Sequence, residues 1–171
     1  MELDTIPNDS KNIKRTPIYS IFDISGKTEN ALTLSFGAIL RKDKVLLKKL
    51  IYVSTKKKLK ISKKLFESSE FYFERNHEEG RTDIEIANEQ FHIIIESKIQ
   101  TNEVKPQQAT RYAEILKRSN SKNKIFIFIT EVGNIDISPK LKSKYPSIFF
   151  YNLSWEETLP LHASSRFRPQ S

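Results

Sequence analysis

Phe91 to Lys98 reads FHIIIESK and Lys124 to Thr130 reads KIFIFIT, two runs in which consecutive positions, not alternate ones, are apolar. Successive side chains of a strand point to opposite faces, so such a run has to be covered on both sides. Strands of this kind belong in the middle of a sheet with helices above and below. The triple Ile93, Ile94, Ile95 marks its strand as central. A chain of 171 residues is large enough for one such layered domain and too short for a second full one.

Around these strands the chain alternates in period. TENALTLSFGAIL places Ala31, Leu32, Phe36, Ile39 and Leu40 at helical spacing, with Thr28 or Ser25 as N-cap. Asp43 to Val53 continues as a second helix or a bent continuation, with Val45, Leu46, Leu47, Leu50 and Ile51 apolar. Phe71, Tyr72 and Phe73 predict a strand ending near Arg75, before the polar loop NHEEGR. Asp83–Ala87 and Phe91–Lys98 predict two strands joined by a tight turn at Asn88 and Glu89. KPQQATRYAEILKRS predicts a helix over 105–119 with Pro106 near its first position. KIFIFIT and SIFFYNLS are further strands, and Trp155 starts a short helix cut by Pro160. Ile18–Ser25 is a short strand or an extended lead-in. The fold class is α/β, a central mixed β-sheet flanked by helices. Residues 1–27 form the lead-in, 28–161 the domain and 162–171 a polar tail.

The formal charge of +8 favours a polyanionic partner such as nucleic acid. The absence of cysteine excludes disulfides and thiolate-bound metal. No run approaches the roughly 20 apolar residues that cross a bilayer, and MELDTIPNDS has no secretory pattern, so the expectation is a soluble, cytoplasmic protein with no membrane partner. The lysines between Ser54 and Leu65, among them Lys56, Lys57, Lys58 and Lys60, are candidates for phosphate contact, as are Arg81 and Arg111. The ordinary alternative is a solvated face.

Asp83, Glu96 and Lys98 close the two hairpin strands. With the turn at Asn88 and Glu89, Asp83 falls opposite Ile94 and Glu96 is its diagonal neighbour on one face, roughly 7 Å away. Two carboxylates so placed can hold a hard divalent cation, Mg²⁺ or Mn²⁺, which takes few protein ligands and keeps waters. Lys98, two residues beyond Glu96, points the same way and can reach the same phosphate. The chemistry this predicts is metal-assisted phosphodiester cleavage. Glu85 is read as sharing the face of Asp83, as an accessory ligand or a solvated residue. His77, His92 and His162 are too scattered for a metal cluster, and His92 reads as a satisfied core histidine.

The ordered set Glu29, Gly80, Asp83, Glu96–Ser97–Lys98, Gln108 and Tyr112 resembles the PD-(D/E)xK nuclease superfamily, whose restriction-endonuclease-like core is α-β-β-β-α-β. Thr82 stands where the motif's proline would be. The resemblance implies that Asp83, Glu96 and the Ser97 carbonyl are metal ligands, Lys98 is the catalytic cation and Glu29 closes the metal shell from the first helix. Gln108 and Tyr112 resemble the QxxxY element of RecB-like members. It further implies a deoxyribonuclease, by analogy an endonuclease and effector of a prokaryotic defence system, with DNA favoured over RNA. A second copy or a partner subunit is compatible with it. The alternatives are an RNA-cleaving enzyme and a silent nucleic-acid-binding module on the same fold.

Overall fold

The computed structural model describes residues 29–56, 58–59, 66–99, 105–133 and 139–158. The expected lead-in strand at 18–25, the caps Thr28 and Ser25, and Lys57 and Lys60 lie outside them. Two helices come first, α1 (Glu29–Lys42) and α2 (Lys44–Ser54). They are separate because Asp43 turns its carboxylate onto the Val45 and Leu46 amides, at 3.0 and 2.9 Å, and starts the second helix as its N-cap. Strands β1 (Glu70–His77), β2 (Gly80–Ala87) and β3 (Phe91–Ser97) follow, then α3 (Pro106–Arg118), β4 (Asn123–Thr130), α4 (Pro139–Lys144) and β5 (Ile148–Ser154). α4 was not expected from the sequence. Residues 155–158 form a helical turn where Trp155 predicted one.

The five strands lie in chain order, antiparallel from β1 to β3 and parallel from β3 to β5. β3 is central, and Ile93, Ile94 and Ile95 have no exposed surface. Ile93 and Ile95 join Ile84, Ile86, Ile125 and Ile127 under α1 and α2. Ile94 faces the other way and packs with Phe126, Phe128 and the Ala109, Tyr112, Ala113 and Leu116 face of α3. Burying each such isoleucine stabilises the fold by roughly 2–3 kcal/mol, so the three-isoleucine run fixes both layers at once. Val45, expected on the apolar face of α2, is instead half exposed at 50 %. Leu46, Leu47, Leu50 and Ile51 already fill that face, and Val45 falls outside their arc. No helix among the described residues is long and apolar enough to cross a membrane.

The β2–β3 turn differs from the expected one. Asn88 Oδ1 accepts from the Gln90 and Phe91 amides, at 2.8 and 2.9 Å, so Asn88 opens the turn and Glu89–Gln90 form its centre. Glu85 therefore pairs with Ile94, and the ladder ends at Ile84↔Ile95. One step further puts Asp83 directly opposite Glu96, not diagonal to it.

α1 lies along β1 and β2, and Gly37 is where it comes closest. A Cβ at Gly37 would overlap the Phe73 ring and sit 3.1 Å from Ile84 Cδ1. Alanine would gain up to about 1 kcal/mol of helix propensity. Displacing a packed ring costs about 1–3 kcal/mol. Gly37→Ala is therefore expected to lower stability by about 1 kcal/mol in a denaturant melt, and a more stable variant would show that the helix has room to lift.

Candidate active site

The local shape of the site is set by a half-step in the β1–β2 ribbon. Phe71 and Phe73 pack toward α1. Strict alternation would send Arg75 and His77 the same way, yet both reach Glu85, which sits beside Ile84 and Ile86 but faces the α3 side. Thr82 also donates to Glu85, three residues on, at 3.3 Å. The alternation slips at Glu74, whose φ is +50°, and at Asp83 across from it. This half-step turns Asp83 and Glu74 into a small crevice against Asn30, Thr33 and Leu34 of α1. It corrects the expectation that Asp83 and Glu85 share a face.

Where the β2–β3 ladder ends, the strands part and Asp83 fills the gap. Its Oδ2 accepts from the Ser97 amide at 3.2 Å, replacing a strand-to-strand bond. Glu96, 1 % exposed, enters the gap from the α3 side. Its Oε1 accepts from Lys98 Nζ at 2.7 Å and from the Gln108 amide. Its Oε2 is buried with no hydrogen-bond partner. Lys98 Nζ also donates to Glu29 Oε1 at 2.9 Å, and the Ile99 amide donates to Glu29 Oε2 at 3.3 Å. Gln108 Nε2 reaches Tyr112 Oη at 3.0 Å, and the Tyr112 hydroxyl donates to the Arg81 carbonyl at 2.7 Å. Gln107 is exposed, so Gln108 is the residue that the helix turns inward.

Burial, and next the charge of Asp83, pushes the Glu96 carboxyl up to about 7, against the pull of Lys98. Burial likewise raises Asp83, partly offset by the Ser97 amide and by Lys98. For Lys98, burial opposes the charge, but the Glu96 and Glu29 carboxylates outweigh it and hold the ammonium well above its ordinary value. The Tyr112 hydroxyl is raised first by burial and then by Glu96. The site is thus two carboxylates that resist ionising together and one lysine whose charged form they favour.

The residues predicted from sequence divide accordingly. Asp83, Glu96, Ser97, Lys98, Glu29, Gln108 and Tyr112 come together in one connected set. Glu29 binds Lys98 and the Ile99 amide, not the gap between the other two acids. Arg81 pairs with Glu74 at 3.3 Å, and the Arg111 guanidinium lies over Gly80 at the β1–β2 turn, within 3.4–3.9 Å of where a Cβ would sit. Lys56 and Lys58 are exposed. Among the described residues no group of three or more His, Cys, Asp and Glu side chains is arranged to hold a metal. A family model described as the PD-(D/E)XK nuclease superfamily matches residues 18–158. The chain belongs to the PD-(D/E)XK nuclease superfamily. Membership implies a nuclease and a nucleic-acid substrate. No curated protein and no solved structure gives a match.

Two parts of this superfamily member were missed from sequence. Thr33, buried on α1, donates to the Glu29 carbonyl at 2.8 Å and touches the Ser97 hydroxyl, tying the helix to the strand end. Its only sequence signal is its place one turn after Glu29. The other is the cluster around Glu85, which is 1 % exposed and accepts from Arg75 at 2.8 Å, His77 at 2.7 Å and His92 at 2.9 Å. Glu85 is therefore neither a solvated residue nor a ligand beside Asp83. His92 is satisfied, as expected, but His77 and His92, distant in sequence, converge on this acid, while His162 lies outside the described residues.

Proposed function

We propose that this chain is a divalent-metal-dependent deoxyribonuclease that hydrolyses internal phosphodiester bonds. The observation that carries the reading is Glu96 Oε2, a buried carboxylate oxygen with no protein donor, beside a second carboxylate whose charge it resists. Buried polar atoms in folded proteins are as a rule partnered, and a hard cation is what two adjoining acids accommodate. Asp83, Glu96 and the Ser97 carbonyl would hold Mg²⁺ or Mn²⁺, with Glu29 at the rim. Bound there, the ion supplies a water of lowered pKa and positive charge for the phosphate.

The chain's own groups do the rest. Glu96 and Glu29 favour the charged form of Lys98, so its role here is that of a fixed cation. Two of its three N–H groups go to Glu96 and Glu29, leaving the third for a phosphate oxygen or the attacking water. That fixed charge stabilises the developing phosphorane. Glu29 and Glu96 set the position of the ammonium. Gln108 holds Glu96 Oε1 while Tyr112 anchors Gln108 to the β2 backbone, rather than turning toward a phosphate or the lysine. Arg81, Arg111, Lys56, Lys57, Lys58 and Lys60 would contact flanking phosphates.

The test is incubation with circular double- and single-stranded DNA, and with RNA, in Mg²⁺, Mn²⁺ or chelator, since circles exclude enzymes that need a free end. Metal-dependent conversion of circular DNA to nicked or linear forms is the expected result, abolished in Glu96→Gln. Cleavage of RNA alone would replace the substrate assignment. No cleavage of any polymer in either metal would leave the silent binding module.

A further inference from the structure

The net excess of positive charge is concentrated in one segment. Residues 41–64 hold eleven basic side chains and one acid, while the remaining residues hold 18 basic and 20 acidic. The net charge of +8 thus resides wholly in this stretch. Its one acid, Asp43, is engaged as the α2 N-cap. Arg41, Lys42, Lys44 and Lys48 are exposed, and among the described residues no ion pair joins them to an acid.

The segment is also remote from the cleavage centre. Glu29 begins α1 and Lys42 ends it, which separates them by roughly 20 Å at 1.5 Å per residue. Lys44 Nζ lies over the Phe71 ring, near the start of β1, and Asp83 lies three residues along the paired strand from Ile86, the partner of Phe71, roughly 10 Å at 3.3 Å per residue. Between them the outer ridge of α1 is Asn30, Leu34 and Ala38, exposed and uncharged. After Glu29 no acid follows along this helix.

We propose that the Arg41–Lys48 surface is a second phosphate-binding site, which holds the nucleic-acid backbone about three to six base pairs from the cut. This rests on the nuclease reading of the centre. A membrane surface is the other anionic partner to weigh. An interfacial helix must bury its apolar face in lipid. That of α2 is already spent in the core, with Leu46, Leu47, Leu50 and Ile51 at most 1 % exposed. What remains outward is Lys44 and Lys48 with only Val45 and Tyr52 as apolar neighbours, 50 % and 37 % exposed, which is too small an apolar face to seat in lipid and suits a polyanion that stays in water.

The test compares wild type with Arg41→Gln/Lys44→Gln/Lys48→Gln on circular DNA. KM is expected to rise about tenfold near 0.1 M salt while kcat stays within twofold. The slope of log affinity against log salt is expected to fall by about 2–3, one per lost phosphate contact. Lys44→Arg/Lys48→Arg should retain wild-type KM, and coincident thermal melts show that all variants are folded. An unchanged salt slope overturns the proposal, as does uptake of anionic phospholipid vesicles through these residues with DNA binding unaltered. Anisotropy binding in chelator separates the two readings. DNA bound through these residues but never cut defeats the catalytic assignment alone, and DNA cut with the triple variant's slope unchanged defeats the surface alone.

Discussion

Lys98→Ala is expected to reduce cleavage of circular DNA by about 10²–10³-fold while the protein stays folded and binds DNA within a few-fold of wild type. The loss is placed in kcat because Glu29 and Glu96 fix the ammonium where the proposed phosphate would react, largely enclosed just past the end of central strand β3. Removing it takes one donor from the buried Glu96 carboxyl, which can take up a proton instead, so the thermal transition should fall modestly while the protein stays folded. Lys98→Arg keeps the charge, but a planar fork cannot occupy the point between two carboxylates, so rescue should be small. A Lys98→Ala enzyme that cuts as fast as wild type would show that the lysine only neutralises its neighbours.

Glu85→Ala is expected to destabilise the fold by about 3–5 kcal/mol, the cost of removing one partner from a buried charge cluster. Arg75 is partly exposed and can turn to water, but His77 and His92 are largely enclosed and would lose their acceptor. Burial alone would raise the Glu85 carboxyl. The hydrogen bonds from His92 and His77 and the Arg75 charge outweigh it and hold the group at about 2, against an ordinary 4.5. The sign follows directly. A depressed folded-state value contributes stability that is fully present above about 4.5 and disappears as pH falls toward 2, about 3 kcal/mol in all. Denaturant melts from pH 6 to pH 2.5 should show wild type losing this increment and Glu85→Ala losing much less of it. Parallel loss in both proteins would place acid sensitivity elsewhere.

What could be read from the sequence was whatever depends on period and apolar content. The consecutive isoleucines placed β3 at the centre, Pro106 placed the start of α3, and the spacing of Gln108 and Tyr112 placed both on its inward face. The acids and the lysine could be gathered because strand ends bring them together even when the register is off by one pair. The turn itself was misplaced because Asn88 can lie at the centre of a turn or open it with its side chain, and only the bonded amides of Gln90 and Phe91 decide. The face of Asp83 was hidden because one positive φ at Glu74 reverses the alternation, and nothing in EFYFERNH announces that a glutamate will adopt it. The Glu85 cluster was hidden for the same reason, since it depends on Arg75 and His77 lying beyond that reversal. α4 was missed because PKLKSK has a single apolar residue, Leu141, and a helix of that length takes its stability from packing.

The account turns on Asp83 and Glu96 sharing one cation, and calorimetric titration of Mn²⁺ into the protein tests that most directly. Wild type should bind one ion tightly per chain, and Asp83→Asn and Glu96→Gln should each lose that binding while melting as folded proteins. Equal heats in wild type and both variants, or none in wild type, would contradict it.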